Sequence, residues 1–215
     1  LWRNKLVGES PDEINGFCHY RRFFTPVGAP VGDRCNAAQF PGYTQAALTA
    51  PLLAGGYDVL LPEPMRLTHD RDWRMTVKRA QAALKAPRWG GHPWRNWSLP
   101  TVYSHYAEMH FIDDLMEAID LLPKDLAGPF KKHVLQAPDI SPYNMFIARN
   151  AVILPYFETL FAWLERVEPV MQPRLEAYDR LQTRLMGFLA ERFCSFYFRS
   201  RHKPAYLPVC FITDV

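Results

Sequence analysis

Short apolar runs alternate along this chain with longer stretches in which apolar residues recur three and four positions apart. Asn15 to Tyr20 is short, apolar and aromatic and predicts a buried strand. Tyr57 to Leu61, stopped by Pro62, and Met145 to Ala148 predict two more, and Tyr206 to Ile212 a last one. Between them lie helical patterns. Tyr43 to Leu53 and Thr68 to Leu84 read as helices. Ser104 reads as the N-cap of a helix carrying Ile112, Leu115, Met116, Ile119 and Leu122 inward. Pro155 suits the first turn of a helix, where its missing N–H has no intrahelical partner to lose. Phe157, Leu160, Phe161, Leu164 and Val167 form that helix's apolar face, and Leu175 to Phe198 reads as one further long helix. Thr25 to Asp33 is a Pro/Gly loop, Gly55-Gly56 breaks the chain, and Pro87 to Pro100, with Gly-Gly, three Trp and flanking Pro, reads as a loop or lid. Strands alternating with helices predict an α/β fold: one mixed sheet flanked by helices, in a single domain over residues 1–215.

Composition narrows the class. With 48% hydrophobic and 22% charged residues the chain is globular, and at this length it buries about 70% of its unfolded surface without staples. A net charge of +3 is too small to indicate nucleic acid. No apolar run reaches the roughly 20 residues a bilayer demands; the best, Ala151 to Trp163, is interrupted by Pro155 and Glu158. Cys18, Cys35, Cys194 and Cys210 lack zinc-finger or redox-pair spacing, so reduced, semi-buried thiols and a cytoplasmic setting are expected.

Six segments carry candidate chemistry. Phe17 to Phe24 sets His19, Arg21 and Arg22 at the carboxyl end of a strand, where α/β sheets bind ligands, and arginine forks suit phosphate. On composition alone, arginines paired with surface carboxylates and a core histidine are the simpler reading. Asp70-Arg71-Asp72 spells a sugar-transferase metal signature, but no apolar strand precedes it, so it reads as acids at a helix start. His105 and Glu108 can share a helix face and hold a metal, whereas His110 diverges; Asp113-Asp114 reads as a solvated helix face. Asn144 at a strand entrance can orient a sugar hydroxyl or simply form a turn. Glu191, flanked by apolar residues, suits a general base with a raised pKa, or else an exposed acid beside Arg192 on an amphipathic helix. Trp89, Trp94 and Trp97 can stack on a sugar ring or cover the core.

Taken in order, these pieces resemble the domain-of-unknown-function 4422 family of capsular, exopolysaccharide and lipopolysaccharide biosynthesis proteins. The resemblance runs through Leu1-Trp2-Arg3-Asn4, Gly16 to Phe23, Tyr57 to Pro62, the His105 helix, Tyr143 to Ile147, Gly187 to Arg192 and Leu207-Pro208-Val209. It covers nearly the whole chain, and His19-Tyr20-Arg21-Arg22 is its sharpest segment. It implies a bacterial glycosyltransferase with a GT-A-like fold, some relatives transferring galactofuranose. A nucleotide-sugar donor and a glycan or lipid-linked glycan acceptor follow, with a cytoplasmic location and peripheral association at the inner face of the membrane.

Within that resemblance, His19, Tyr20, Arg21, Arg22 and Asn144 are expected to bind the donor, His105 and Tyr143 to contact acceptor or sugar, and Glu191, with Asp58 in reserve, to act as base. Arg21 and Arg22 take the place of the usual metal, so no cofactor is required, Mg and Mn remaining compatible. Family members begin with a further strand upstream of the segment matching Leu1 to Asn4. The chain is therefore expected to be N-terminally truncated, and its second reading is a non-catalytic remnant that binds a glycan or a partner.

Overall fold

The computed structural model describes residues 10–28, 34–39, 45–67, 73–105 and 111–213. Leu1-Trp2-Arg3-Asn4, Asp70-Arg71-Asp72, Glu108 and His110 lie outside them. The chain divides into two compact units.

The first unit comprises residues 1–64, 141–158 and 197–215. Its main sheet contains β1 (Ile14–Phe17), β4 (Val59–Pro62), β7 (Phe146–Arg149) and β8 (Pro204–Leu207) in the order β1-β7-β4-β8. The central β7 runs antiparallel to β1 and β4, and β4 runs parallel to β8. Strands β1, β4 and β8 therefore point the same way, and their carboxyl ends share one sheet edge. Every residue of β4 is buried, as expected of a strand covered on both faces.

Alternation along β7 explains how the two faces are filled. Ile147 joins Phe24, Leu52, Leu60, Met145 and Leu207 on one side. Phe146 meets Phe17, Tyr156 and Phe198 at ring separations of 4.9, 5.4 and 4.9 Å. Helix α1 (Gln45–Leu53) ends in a turn where Gly55 and Gly56 adopt φ of 77° and 104°, values that glycine reaches without steric cost. A second sheet has the order β2-β9-β3, from β2 (Arg22–Phe24), β3 (Arg34–Cys35) and β9 (Val209–Ile212). The single strand expected over Tyr206 to Ile212 is thus two. Pro208, without an N–H for a ladder, separates β8 from β9, while its carbonyl accepts the Thr25 N–H at 2.9 Å.

The second unit comprises residues 65–140 and 159–196. It holds β5 (Met65–Arg66) paired with β6 (Asp139–Ile140), and helices α2 (Trp73–Lys85), α3 (Pro93–Ser98), α4 (Val102–His105), α5 (Ile112–Asp120) and α6 (Lys124–Gln136). Parts of α7 (Asn150–Leu175) and α8 (Leu185–Arg201) complete it. Its core is aromatic: Phe130 lies 5.9 Å from Trp163, 5.5 Å from Phe193 and 5.0 Å from Phe196. The Trp163 indole N–H donates to the Ala118 carbonyl at 2.6 Å, which satisfies the one polar atom this large side chain buries.

Several expectations are corrected here. Ser104 does not begin a long helix. Thr101 caps α4 instead, and the two residues reciprocate: the Thr101 N–H donates to Ser104 Oγ at 2.9 Å and the Ser104 N–H to Thr101 Oγ1 at 3.3 Å, a capping box with serine in the place of glutamate. Pro155 lies inside α7, which starts earlier, at Asn150. The Trp-rich segment is not a loop throughout: Gly90, at φ 78°, ends a short 3-10 turn and α3 starts on Pro93. The helix expected from Leu175 begins only at Leu185, because the Asp179 carboxylate accepts the N–H groups of Leu181 and Gln182 at 2.8 and 2.9 Å and holds a turn between α7 and α8. Asp114 is not solvated; it is 3% exposed. Arg192, read as a possible surface neighbour of Glu191, is wholly buried. Of the cysteines, Cys35, Cys194 and Cys210 are buried and Cys18 is exposed, and none of the four forms a disulfide.

Candidate functional site

The segment His19-Tyr20-Arg21-Arg22 folds as one β-turn directly after β1. The Arg22 N–H donates to the His19 carbonyl at 3.1 Å, and the two residues form an isolated antiparallel bridge. Tyr20 stands at the tip, 70% exposed, with the Arg21 guanidinium 5.5 Å from its ring centroid. The turn brings the side chains at its two ends together. Arg22 Nη1 lies 3.3 Å from His19 Nδ1, and the Arg21 backbone N–H donates to the same nitrogen at 3.3 Å. With Nδ1 accepting, a neutral His19 ring carries its proton on Nε2, as assigned from these bonds.

Arg22 is positioned by two aromatic rings. Its guanidinium carbon lies 4.2 Å from the Tyr143 centroid and 5.0 Å from that of Phe211. The second contact follows from register, since Arg22 and Phe211 are direct partners across the antiparallel β2–β9 pair and so share a face. Among the described residues, Arg22 makes no ion pair with a carboxylate. The simpler sequence reading, an arginine consumed by a surface acid, does not describe it.

Tyr143 and Asn144 enter from the other side of the chain, immediately before β7. Both have left-handed backbones, φ 80° and 54°, which is rare for non-glycine residues and an outlier for a bulky one. Register sets them at the same sheet edge as the His19–Arg22 turn, because Phe17 at the end of β1 pairs with Phe146 at the start of β7. That is also the edge where β4 and β8 end. One edge of the first unit therefore gathers His19, Arg22, Tyr143 and Asn144, with Tyr20 and Arg21 on the turn.

The remaining expected residues sit elsewhere. Asp58 precedes β4 and so lies at the opposite edge; its carboxylate accepts the Lys203 N–H at 2.8 Å and its own N–H donates to the Lys203 carbonyl at 2.9 Å, clamping the parallel starts of β4 and β8. Glu191 belongs to the second unit, partly buried on α8. His105 is the last described residue of α4 in the same unit, and its side chain is outside the described residues. Phe211 is the member of the site that sequence reasoning missed. Nothing near it in the chain marks it; only the pairing of β2 with β9 does.

This edge offers a fixed guanidinium, a second arginine beside it, an imidazole N–H and aromatic surface. Such a set can bind an anion with planar oxygen geometry, a phosphate or diphosphate above all. Among the described residues no group of three or more His, Cys, Asp or Glu side chains is placed to hold a metal ion.

Residues 1–203 match the family described as Domain of unknown function (DUF4422). The fold is similar to the apo structure of WbbM, a bifunctional glycosyltransferase, with a TM-score of 0.62 at 19% identity. The match takes in 99% of this chain and 35% of that one, so the chain spans about a third of WbbM's length. At that identity the likeness establishes a shared mixed α/β fold. No curated protein matches the chain.

Proposed function

The chain belongs to the DUF4422 family, and from that premise we propose that it is a GT-A-like glycosyltransferase of bacterial surface-polysaccharide synthesis. It transfers a sugar from a nucleotide-sugar donor to a growing glycan of capsule, exopolysaccharide or O-antigen type. The observation that carries this reading is the Arg22 guanidinium, seated over Tyr143 and Phe211, bonded to His19 and without a carboxylate partner among the described residues. A cation arranged in this way, at the carboxyl ends of three parallel strands, suits the diphosphate of a donor.

The chemistry assigned to these residues follows from where charge develops. The bond from the anomeric carbon to the diphosphate oxygen breaks, and its electron pair leaves with the nucleotide. The acceptor hydroxyl oxygen bonds to that carbon and gives up its proton. Arg22 and Arg21 meet the charge growing on the diphosphate, the task that a divalent cation performs in metal-dependent transferases. His19 donates its Nε2–H to phosphate or sugar. Asn144 contacts the sugar, and the acceptor proton passes to a base, for which Glu191 is the candidate from the sequence. Tyr143, expected to touch the acceptor, has a second task in holding Arg22.

Calorimetry with a panel of uridine, guanosine and cytidine sugar nucleotides tests the reading. Saturable binding of one donor is expected, weakened by roughly 10- to 100-fold in Arg22→Ala, the equivalent of one charge-assisted contact, and by less in Arg22→Lys. Glu191→Gln should retain donor affinity while losing turnover. EDTA should leave turnover intact; turnover restored only by Mg²⁺ or Mn²⁺ overturns the metal-independent assignment. A folded chain that binds no sugar nucleotide overturns the transferase reading in favour of a glycan- or partner-binding module.

A further inference from the structure

Residues Trp73 to Leu99 hold four of the chain's six tryptophans and the cations Arg74, Lys78, Arg79, Lys85, Arg88 and Arg95, with no aspartate or glutamate. This segment alone carries +6, against +3 for the whole chain, so everything outside it is net acidic. The structure shows where the apolar part of the segment faces. Trp73, Val77, Ala80 and Leu84 recur at i, i+4, i+7 and i+11, one line along α2. That line is turned outward: Trp73 is 70% exposed, Val77 47% and Leu84 78%. The helix packs inward through its other side, with Arg79, Ala82 and Ala83 buried. Trp94 and Trp97, at i and i+3 on α3, are 70% and 42% exposed, and with Ala80, Ala83, Leu84 and Pro93 they line one apolar hollow.

An exposed face of this kind is a docking surface, and charge and hydrogen bonding select what docks. A glycan brings hydroxyls that need polar partners, and the hollow presents alanine, leucine, proline and indole rings. A second copy docked through the same face would set one cationic segment against another. Single-stranded nucleic acid would use the tryptophans but not the aliphatic line of Val77 and Leu84. A lipid surface uses every component: tryptophans at the headgroup level, aliphatic side chains just beneath it, and cations toward anionic headgroups. The cations are suitably placed. Lys78 and Lys85 stand one position beyond Val77 and Leu84 along α2, and Arg88 and Arg95 are exposed. Lys85 is held by Asp113 at 2.7 Å, and Arg95 Nη2 donates to the Gln136 carbonyl at 3.1 Å. No described helix, α2 included, is long and apolar enough to cross a bilayer. An interfacial position remains.

We propose that the outward face of α2 and α3, built on Trp73, Val77, Leu84, Trp94 and Trp97, docks the protein on a membrane surface bearing anionic lipids. This gives a surface to the peripheral membrane association that the family resemblance implies, and it uses none of the residues assigned to sugar transfer.

Co-sedimentation of the full chain with phosphatidylcholine vesicles, with and without phosphatidylglycerol, provides the test. Binding is expected with the anionic lipid, accompanied by a blue shift of indole emission and weakened by high salt. The combined variant Trp73→Ser, Leu84→Ser, Trp94→Ser removes side chains that are largely exposed, so its thermal midpoint should stay near that of the wild type. Its vesicle affinity should fall by tenfold or more, on the order of the burial lost from even one such side chain. Arg88→Glu with Arg95→Glu should weaken binding to anionic vesicles alone. The proposal is overturned if the wild type stays in the supernatant with anionic vesicles, or if the serine variant binds them as well as the wild type does. It is equally overturned if the face instead mediates a dimer that the serine variant abolishes, or if single-stranded DNA or a soluble polysaccharide shifts the indole emission and vesicles do not.

Discussion

Tyr143 and Asn144 occupy consecutive left-handed positions, and such residues cost on the order of 1–3 kcal/mol each where the surrounding structure must hold them. Asparagine tolerates this region better than most residues, and glycine better still. Asn144→Gly should therefore leave stability unchanged or raise it by up to about 1 kcal/mol, while Asn144→Ala lowers it by about 1–2 kcal/mol. Urea midpoints check both. Donor affinity separates the backbone role from the side-chain one: if the amide touches the donor, glycine and alanine weaken binding alike. Wild-type affinity in the glycine variant would leave Asn144 as a turn residue only. Sequence reading left both roles open at this position, because Asn is at once a sugar ligand and a favoured turn former. The positive φ is a property of the folded chain.

The adjacent acids of α5 show how helix phase alone can divide two like residues. Asp114 accepts Arg174 Nη1 at 2.6 Å and the Tyr178 hydroxyl at 2.5 Å, and Arg174 Nη2 reaches Glu117 at 2.6 Å. The Asp114 carboxylate thus ties the first turn of α5 to the end of α7 and the residues after it. Burial raises the Tyr178 hydroxyl pKa, and the hydrogen bond to Asp114 adds to it. Asp113 forms an ion pair with Lys85, both side chains being nearly half exposed. Asp114→Ala should cost about 1–2 kcal/mol, since it removes the hydrogen bonds of a buried carboxylate while the half-exposed Arg174 and Tyr178 can turn to solvent, whereas Asp113→Ala should cost less than about 1 kcal/mol. Equal losses in denaturant titrations would refute the distinction. A solvated reading suited Asp113 and failed for Asp114, since the acid that faces inward is selected by partners about sixty residues away.

Across the whole molecule, unfolding is linked to His202 near the junction of α8 and β8. Burial pushes its imidazole pKa below the usual 6.5; Arg201 acts in the same direction and Asp58 opposes both. The unfolded chain therefore takes up this proton more readily than the folded one. The neutral ring's contribution is complete above the unfolded value and is lost as pH falls from there through the folded value. His202→Gln should flatten that part of the stability profile between about pH 7 and pH 5, as read by urea midpoints across pH. An unchanged slope in the variant would mean that other groups carry it.

What the sequence determined by itself is what depends on neighbours a few positions apart. Val59–Pro62 and Phe146–Arg149 are strands because short apolar runs bury both faces, and the Gly55-Gly56 break lies where positive φ is needed. The mixed α/β class and the place of His19, Arg21 and Arg22 just after a strand were legible in the same way. Tertiary structure alone decided the rest. Strand pairing set Arg22 opposite Phe211, brought Tyr143 over its guanidinium and put Asp58 at the far edge; Pro208 split one apolar run between two sheets. The physical reason is range. Propensity, capping and periodicity act over a turn or two of chain, whereas a site is made by register between segments that approach only when the core closes.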